Sequence, residues 1–489
     1  MSQPNILMIM ADQLAAAALG AYGHRVAKTP HVDALAESGV LFENCYCNAP
    51  LCVPSRASLV TGQFPSRVGS FDNGTELPAQ IPTFLHHLRR TGYRTISSGK
   101  QHFIGPDQLH GYEERLTTDI YPSGFDWTPD WSRGVVRNTG SSVEKLKHSG
   151  VCRWSMQLDY DEEVHFRALE RLRSLADADD GRPFFLCASY THPHQPYVIT
   201  QEYWDRFEPD AIDDPAVPAA PHDRLHPYDQ WIQQHHSIDL FPPSLDLVRT
   251  ARRAYYGMVS YWDQKVGELV GELRRLGLDR NTVVLVLSDH GDMMGEHGMW
   301  SKRTFYDWSA RVPLICACPE RWAAGRRVPQ AVSLVDLFPT LLDLAGVPDH
   351  EAVVADSDGA SLVPVLEGDA ASWKDEAVCE YCGEGTLHPA RMVCRGRHKY
   401  VYVAGEAPRL FDLEDDPTEQ ADLCGRPELA GIEAGLSERA LADWDPAELE
   451  ERVLRSQRDR RLILEAIAHG RAASWDYQPY FDASRQYVR

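Results

Sequence analysis

Short apolar runs alternate with stretches of helical periodicity through the first two thirds of the chain, which predicts βαβ units around a mainly parallel sheet. The runs are Asn5-Ile6-Leu7-Met8-Ile9-Met10 and residues 41–47, 93–97, 183–189 and 282–287. Helices are predicted from Pro30, where Thr29 suits an N-cap and proline suits the first helical position, and over 82–90, 249–276 and 332–345. Residues 105–161 are irregular and rich in Trp, Tyr, Gly and charge, so they read as an excursion over one sheet edge; residues 200–245, dense in Pro, Asp and His, read as a long surface insertion. Composition changes near 367–373. Beyond it, runs at 398–403 and 410–413 predict a small antiparallel sheet, and 448–469 predicts a charged helix with Val453, Leu464 and Ile467 on one face. The expected organisation is an α/β catalytic domain over 1–370, a small α+β subdomain over 371–430 and a helical, aromatic tail over 431–489.

The residues just beyond each strand carry the chemistry. The first run ends in Asp12-Gln13, the second leads into a turn holding Cys52, and the third ends in Lys100-Gln101-His102. The fourth leads into His192-Pro193-His194-Gln195-Pro196, and the fifth into Asp289-His290-Gly291-Asp292. One such residue is an ordinary cap or turn. Several converge here, because the C-terminal ends of parallel strands share one edge, where ligands bind.

Leu51-Cys52-Val53-Pro54-Ser55-Arg56 opens a helix that continues to Thr61-Gly62. Cys52 at a helix N-terminus, with Arg56 one turn in, makes an anion site. Asp12, Asp289 and His290 are hard or borderline ligands that, with a Cys52-derived side chain, fit one divalent cation. Lys100 and His102, two residues apart in an extended segment, point to the same face.

Composition narrows the partners. Over 489 residues, 49 Lys plus Arg stand against 71 Asp plus Glu, a net charge of −22, so nucleic acid is excluded as a partner and an anionic ligand requires a local positive pocket. There is no apolar run long enough to span a membrane, and the first apolar run lacks a basic flank and a cleavage site, so the expected location is cytoplasmic. Eleven cysteines then read as reduced thiols. The pairs Cys45/Cys47, Cys316/Cys318 and Cys379/Cys382 lack the partners of a structural zinc site.

The stretch from Cys52 matches C-x-P-x-R followed by A-S-L-x-T-G, and the chain resembles the type I sulfatase family, with further similarity to its bacterial choline sulfatases through residues 105–122 and 125–130. The resemblance implies an alkaline-phosphatase-like fold with a smaller C-terminal antiparallel sheet. It also implies conversion of Cys52 to formylglycine by a formylglycine-generating enzyme; the hydrated aldehyde attacks sulfur and then expels sulfate. Cys52, Arg56, Lys100, His102, His194 and Lys302 are the implied catalytic set. His102 is the base that releases sulfate, His194 the general acid, with His192 its competitor, and Lys302 holds charge on the sulfate and leaving oxygens. Asp12, Gln13, Cys52, Asp289 and His290 are the implied metal set. Gln13 stands where many sulfatases have aspartate and His290 where many have asparagine, which moves the expected ion from calcium alone to calcium or manganese. For a choline ester, Trp127 offers an aromatic face and Glu384 a carboxylate. Arg137 stands where that subfamily has histidine and favours an extra anionic group; the chain also lacks the subfamily's longer acidic tail, although the aromatic C-terminal segment predicts a homo-oligomer. The rival readings are a phosphonate monoester or phosphodiester hydrolase with the same nucleophile, and an inactive sulfatase-like binding protein.

Overall fold

The computed structural model describes residues 3–178 and 180–470. Its centre is an eight-stranded sheet: β1 Asn5–Ala11, β2 Val40–Tyr46, β3 Arg94–Gly99, β4 Glu114–Arg115, β5 Phe184–Ser189, β6 Thr282–Ser288, β7 Arg311–Ala317 and β8 Arg326–Ser333. The spatial order is β8-β2-β7-β6-β1-β5-β3-β4, and only β7 runs antiparallel to its neighbours. β1, β5 and β6 are apolar and buried along nearly their whole length, as expected for central strands covered on both faces.

Register places the polar strand ends at one height. Ala11 pairs with Ser288, and Met10 and Gly99 both pair with Ser189, so Asp12, Asp289 and Lys100 leave the sheet side by side. Gly99 is required there. It adopts φ +104°, and a Cβ would come within 1.9 Å of the Ser189 carbonyl oxygen.

Helices cover both faces: α1 Pro30–Ser38, α2 Cys52–Thr61, α3 Phe84–Arg90, α4 Met156–Ala176, α5 Pro227–His235, α6 Leu245–Arg275 and α7 Leu337–Leu344. Every residue of α2 is buried, and Gly62 closes it in the left-handed conformation by donating to the Ser58 carbonyl. A second sheet of four antiparallel strands, β9 Glu376–Tyr381, β10 Ala390–Arg395, β11 His398–Val403 and β12 Arg409–Asp412, docks on the turn before α2. Asn48 makes that joint: its amide donates to Val378 O at 2.9 Å, its side-chain oxygen accepts from Val335 N at 2.9 Å, and its carbonyl accepts from Glu380 N at 2.8 Å. Helices α8 Ala430–Leu441 and α9 Pro446–Ala468 complete the described chain.

Four sequence expectations are corrected. Residues 332–345 are not one helix, because Val332 belongs to edge strand β8 and the helix begins at Leu337. The excursion after 105 ends at Met156, where the 21-residue α4 begins. The 200–245 insertion contains α5, whose Tyr228, Ile232 and His235 are buried. On α9, Val453 is buried whereas Ile467 is 51% exposed, so the two do not share a buried stripe. The aromatic tail beyond α9 lies outside the described residues.

Candidate active site

Cys52 is the first helical residue of α2, and the next backbone N–H, that of Val53, donates to Asn73 Oδ1 at 3.1 Å. The Cys52 thiol is fully buried and ringed by three groups distant in sequence. Lys302 Nζ lies 3.0 Å from Sγ, His290 Nε2 3.2 Å and Asp12 Oδ1 3.9 Å. Burial alone would raise the thiol pKa, but Lys100, Lys302 and His290 outweigh it and hold the group well below its ordinary value. An anion at this position is therefore stabilised before any ligand arrives.

Asp12, Cys52, Asp289 and His290 each offer one donor atom, all within 4.8 Å of one another, and all four side chains are buried. Burial, reinforced by Asp289 and Cys52, pushes Asp12 up to about 6 against the pull of Lys100. Asp289 is driven the other way: burial is overcome by Arg56, His290 and Lys100. Two buried carboxylates and an imidazole Nε2 converging on one point fit a divalent cation. His290 Nδ1 is turned to the Gly291 carbonyl at 3.1 Å, leaving Nε2 for the group.

Arg56 spends its guanidinium inside the protein. Nε bonds Asp289 Oδ2 at 2.7 Å, and Nη1 bonds Lys100 O at 2.7 Å and Ser189 Oγ at 3.0 Å. Its position ties α2 to the ends of β3, β5 and β6. Lys100 Nζ sits 2.6 Å from Asp12 Oδ2 and 4.3 Å from the centre of the Tyr121 ring. Gln13 gives its side chain to a different network: Oε1 accepts from Lys302 Nζ at 2.8 Å, and Nε2 donates to Asp292 Oδ2 and to Gln195.

His102 stacks on Tyr121 with ring centres 4.7 Å apart and meets Trp127 edge-on at 5.4 Å. Burial, assisted by Lys100, holds its imidazole down to about 4 despite Cys52 and Asp119. His194 Nδ1 bonds Gln195 O at 2.8 Å, and Nε2 faces Lys302 Nζ at 3.0 Å. His192, the competitor for the acid role, instead puts Nδ1 2.6 Å from Asp161 Oδ2 and packs on Tyr261, bracing the end of β5.

Beside this array opens a cleft of about 510 Å³, lined among others by Asn73, Trp127, Arg137, His235, Arg303 and Glu384. Glu384 Oε1 accepts from Arg303 Nη2 at 2.7 Å, while Oε2 has no hydrogen-bond partner among the described residues. Arg137 lines the same cleft and is engaged there by a carboxylate. Its two terminal nitrogens each bond Asp239 at 2.6 Å.

Sequence reasoning gave no role to Asp119, Tyr121, Asp161, Asp292 or Arg303. Asp119 Oδ2 accepts the backbone N–H of Gln101 at 2.8 Å and of His102 at 2.7 Å, which fixes the left-handed turn at His102. Asp119 and Tyr121 lie in the stretch that carries the subfamily resemblance, and Asp292 closes Asp289-His290-Gly291-Asp292, so location was a signal even where a role was not.

The chain is similar to known proteins over its whole length. The Sulfatase family model matches residues 4–347, the N-sulphoglucosamine sulphohydrolase C-terminal model residues 295–444, and the choline sulfatase C-terminal model residues 451–489. A choline-sulfatase of Rhizobium meliloti is 41% identical over all of this chain and 96% of its own length. An arylsulfatase of Clostridium perfringens is 29% identical over 86% of this chain and 90% of its own. Among solved structures, the phosphonate monoester hydrolase of Agrobacterium radiobacter superposes with a TM-score of 0.72 at 28% identity, covering 90% of this chain and 95% of that one.

Proposed function

The chain belongs to the sulfatase family and hydrolyses sulfuric esters, and we propose that its substrate is choline sulfate. The observation that carries the substrate is the 41% identity to a choline-sulfatase across the whole chain, supported by a cleft lined by Trp127 and Glu384. An aromatic face and a carboxylate suit a quaternary ammonium, for which desolvated cation–π contact contributes about 2 kcal/mol. Arg137, neutralised by Asp239, does not oppose a cation.

Cys52, as formylglycine after conversion by a partner enzyme, supplies a hydrated aldehyde as nucleophile. A divalent ion, calcium or manganese, held by Asp12, Asp289, His290 and the modified Cys52 supplies charge neutralisation for the nucleophile and the sulfate oxygens. The remaining work falls to protein side chains. Arg56 and Lys100 hold the two carboxylates in place and add positive charge against which an anionic ester docks. Lys302 and His194, 3.0 Å apart, form one proton-donating unit toward the departing alcohol oxygen. His102, neutral at neutral pH because its pKa is held near 4, accepts a proton during sulfate release. The buried, stacked setting of that ring fixes its direction.

The similarity to a phosphonate monoester hydrolase supports a second activity of the same machinery on phosphonate or phosphate esters. Turnover of choline sulfate, p-nitrophenyl sulfate and an aryl phosphonate monoester by the converted, metal-loaded enzyme separates the readings. Choline sulfate should give the highest kcat/KM. Preference for the phosphonate would transfer the chain to the second reading, and no turnover of any of them would favour a binding protein.

Eleven cysteines without a disulfide support a reducing, cytoplasmic location. Among the described residues, no helix is long and apolar enough to cross a membrane. Exposed Leu462, Ile463 and Ile467 on α9 support self-association.

A further inference from the structure

Gln13 lies fully buried between two groups of opposite hydrogen-bonding character. On one side Lys302 Nζ, a donor with no accepting capacity, approaches Gln13 Oε1 at 2.8 Å. On the other, Asp292 Oδ2 lies 2.5 Å from Gln13 Nε2. The second hydrogen of that amide goes to Gln195 Oε1. Asp292 is itself surrounded by donors: Tyr197 OH at 2.7 Å and Met294 N at 3.1 Å complete its shell with Gln13. With Gln13 Nε2 and Tyr197 OH on Oδ2 and Met294 N on Oδ1, the Asp292 side chain meets Gln13 as an acceptor. An acceptor on one side and a donor-only group on the other leave the Gln13 amide a single orientation. The backbone is pinned as well, since Gln13 N donates to Asp289 Oδ1 at 3.1 Å and Tyr255 OH donates to Gln13 O at 2.9 Å.

We propose that Asp292 is a positioning residue for Lys302, acting through Gln13: it orients the amide so that a carbonyl oxygen, not an NH₂, meets the lysine and aims its ammonium at the space shared by Cys52 Sγ and His194 Nε2. Tyr197, Asp292, Gln13 and Lys302 form a continuous chain in which every donor meets an acceptor. Replacing Asp292 by asparagine keeps the shape and removes the direction. An asparagine can donate to Gln13, the Gln13 amide can then turn, and its NH₂ would face the ammonium and push it out of line.

The proposal rests on the reading that Lys302 stabilises the leaving oxygen, and the test separates the two. Asp292→Asn, Lys302→Ala and a double variant combining Gln13→Glu with Asp292→Asn are compared with the parent for kcat/KM on choline sulfate and on p-nitrophenyl sulfate, alongside melting temperature. The double variant moves the negative charge to position 13, where the introduced carboxylate accepts from Lys302, from the introduced amide at position 292 and from Gln195 once its amide turns its NH₂ inward, so the donor direction toward Lys302 is restored at constant net charge. The expectation is an about 10–100-fold loss for Asp292→Asn on choline sulfate, a much smaller loss on p-nitrophenyl sulfate, whose leaving group needs little help, and recovery in the double variant.

A double variant no better than Asp292→Asn, unimpaired Asp292→Asn, unfolding of both variants, or, where Lys302→Ala discriminates between the esters, equal losses of Asp292→Asn on both would overturn the proposal. Lys302→Ala reports on the underlying reading alone. If it loses equally on both esters, the leaving-oxygen role fails, and recovery in the double variant alone then decides whether Asp292 positions Lys302.

Discussion

Lys100 Nζ lies 2.6 Å from Asp12 Oδ2, and neither side chain is exposed. The ammonium is the fixed counter-charge of a carboxylate that also faces Asp289 and Cys52. Removing one partner of such a pair leaves an uncompensated buried charge and costs about 3–5 kcal/mol. Lys100→Met should therefore destabilise the chelator-treated protein by an amount of that order. Calcium or manganese should then raise the melting temperature of the variant more than that of the parent. An equal metal response in the two proteins would show that Asp12 does not take part in ion binding.

Asp119 offers a second test, because it touches no reacting group yet receives two consecutive backbone N–H bonds at the His102 turn. Losing those bonds leaves buried donors unpaired, at about 1–3 kcal/mol. Asp119→Ala should lower kcat by about tenfold or more through misdirection of His102, with KM for choline sulfate little changed. Steady-state kinetics showing the reverse split would place Asp119 in substrate binding.

Glu384→Gln separates alcohol recognition from sulfate chemistry. If the carboxylate attracts a quaternary ammonium, the substitution should raise KM for choline sulfate by about tenfold, equivalent to about 1.4 kcal/mol, and leave p-nitrophenyl sulfate nearly unaffected. Parallel changes for both esters would mean that Glu384 serves only to hold Arg303, its 2.7 Å partner.

Stability should fall on acidification for a reason outside the metal group. Burial, with Arg303, holds His235 down to about 3, and burial holds His297 down to about 4, against an ordinary value of 6.5. Between those values the unfolded chain binds more protons than the folded one, so stability rises with pH across that window. The contribution is complete above pH 6.5 and is lost as pH falls toward 3. His297→Asn should give a shallower acid limb in denaturant titrations between pH 4 and 6.5 than the parent; an unchanged slope would remove His297 from the account.

Much of this site was legible because its residues come directly after strands. Apolar β1, β5 and β6 mark their own ends, so Asp12, Asp289 and His290 could be placed on one edge by topology alone, and the turn to α2 is written in Cys52-Val53-Pro54-Ser55-Arg56. The less legible residues act across distance. Asp119 grips the backbone of Gln101 and His102 from the irregular segment, Asp161 reaches His192 from a charge-dense helix that periodicity did not reveal, and Asp292 works through Gln13. Their contacts are set by tertiary packing, for which a single sequence carries no local pattern. The partner of Arg137 was hidden for the same reason: Asp239 lies 102 residues away in sequence.

The central claim is that Cys52 is the precursor of the nucleophile rather than the nucleophile itself. The most direct measurement is the mass of the Cys52-containing peptide from protein made with and without a formylglycine-generating enzyme, set against choline sulfate turnover by the same samples. Activity should rise in proportion to the fraction carrying the aldehyde mass and be lost in Cys52→Ala. Full turnover by protein whose Cys52 peptide carries only the unmodified thiol would contradict the claim.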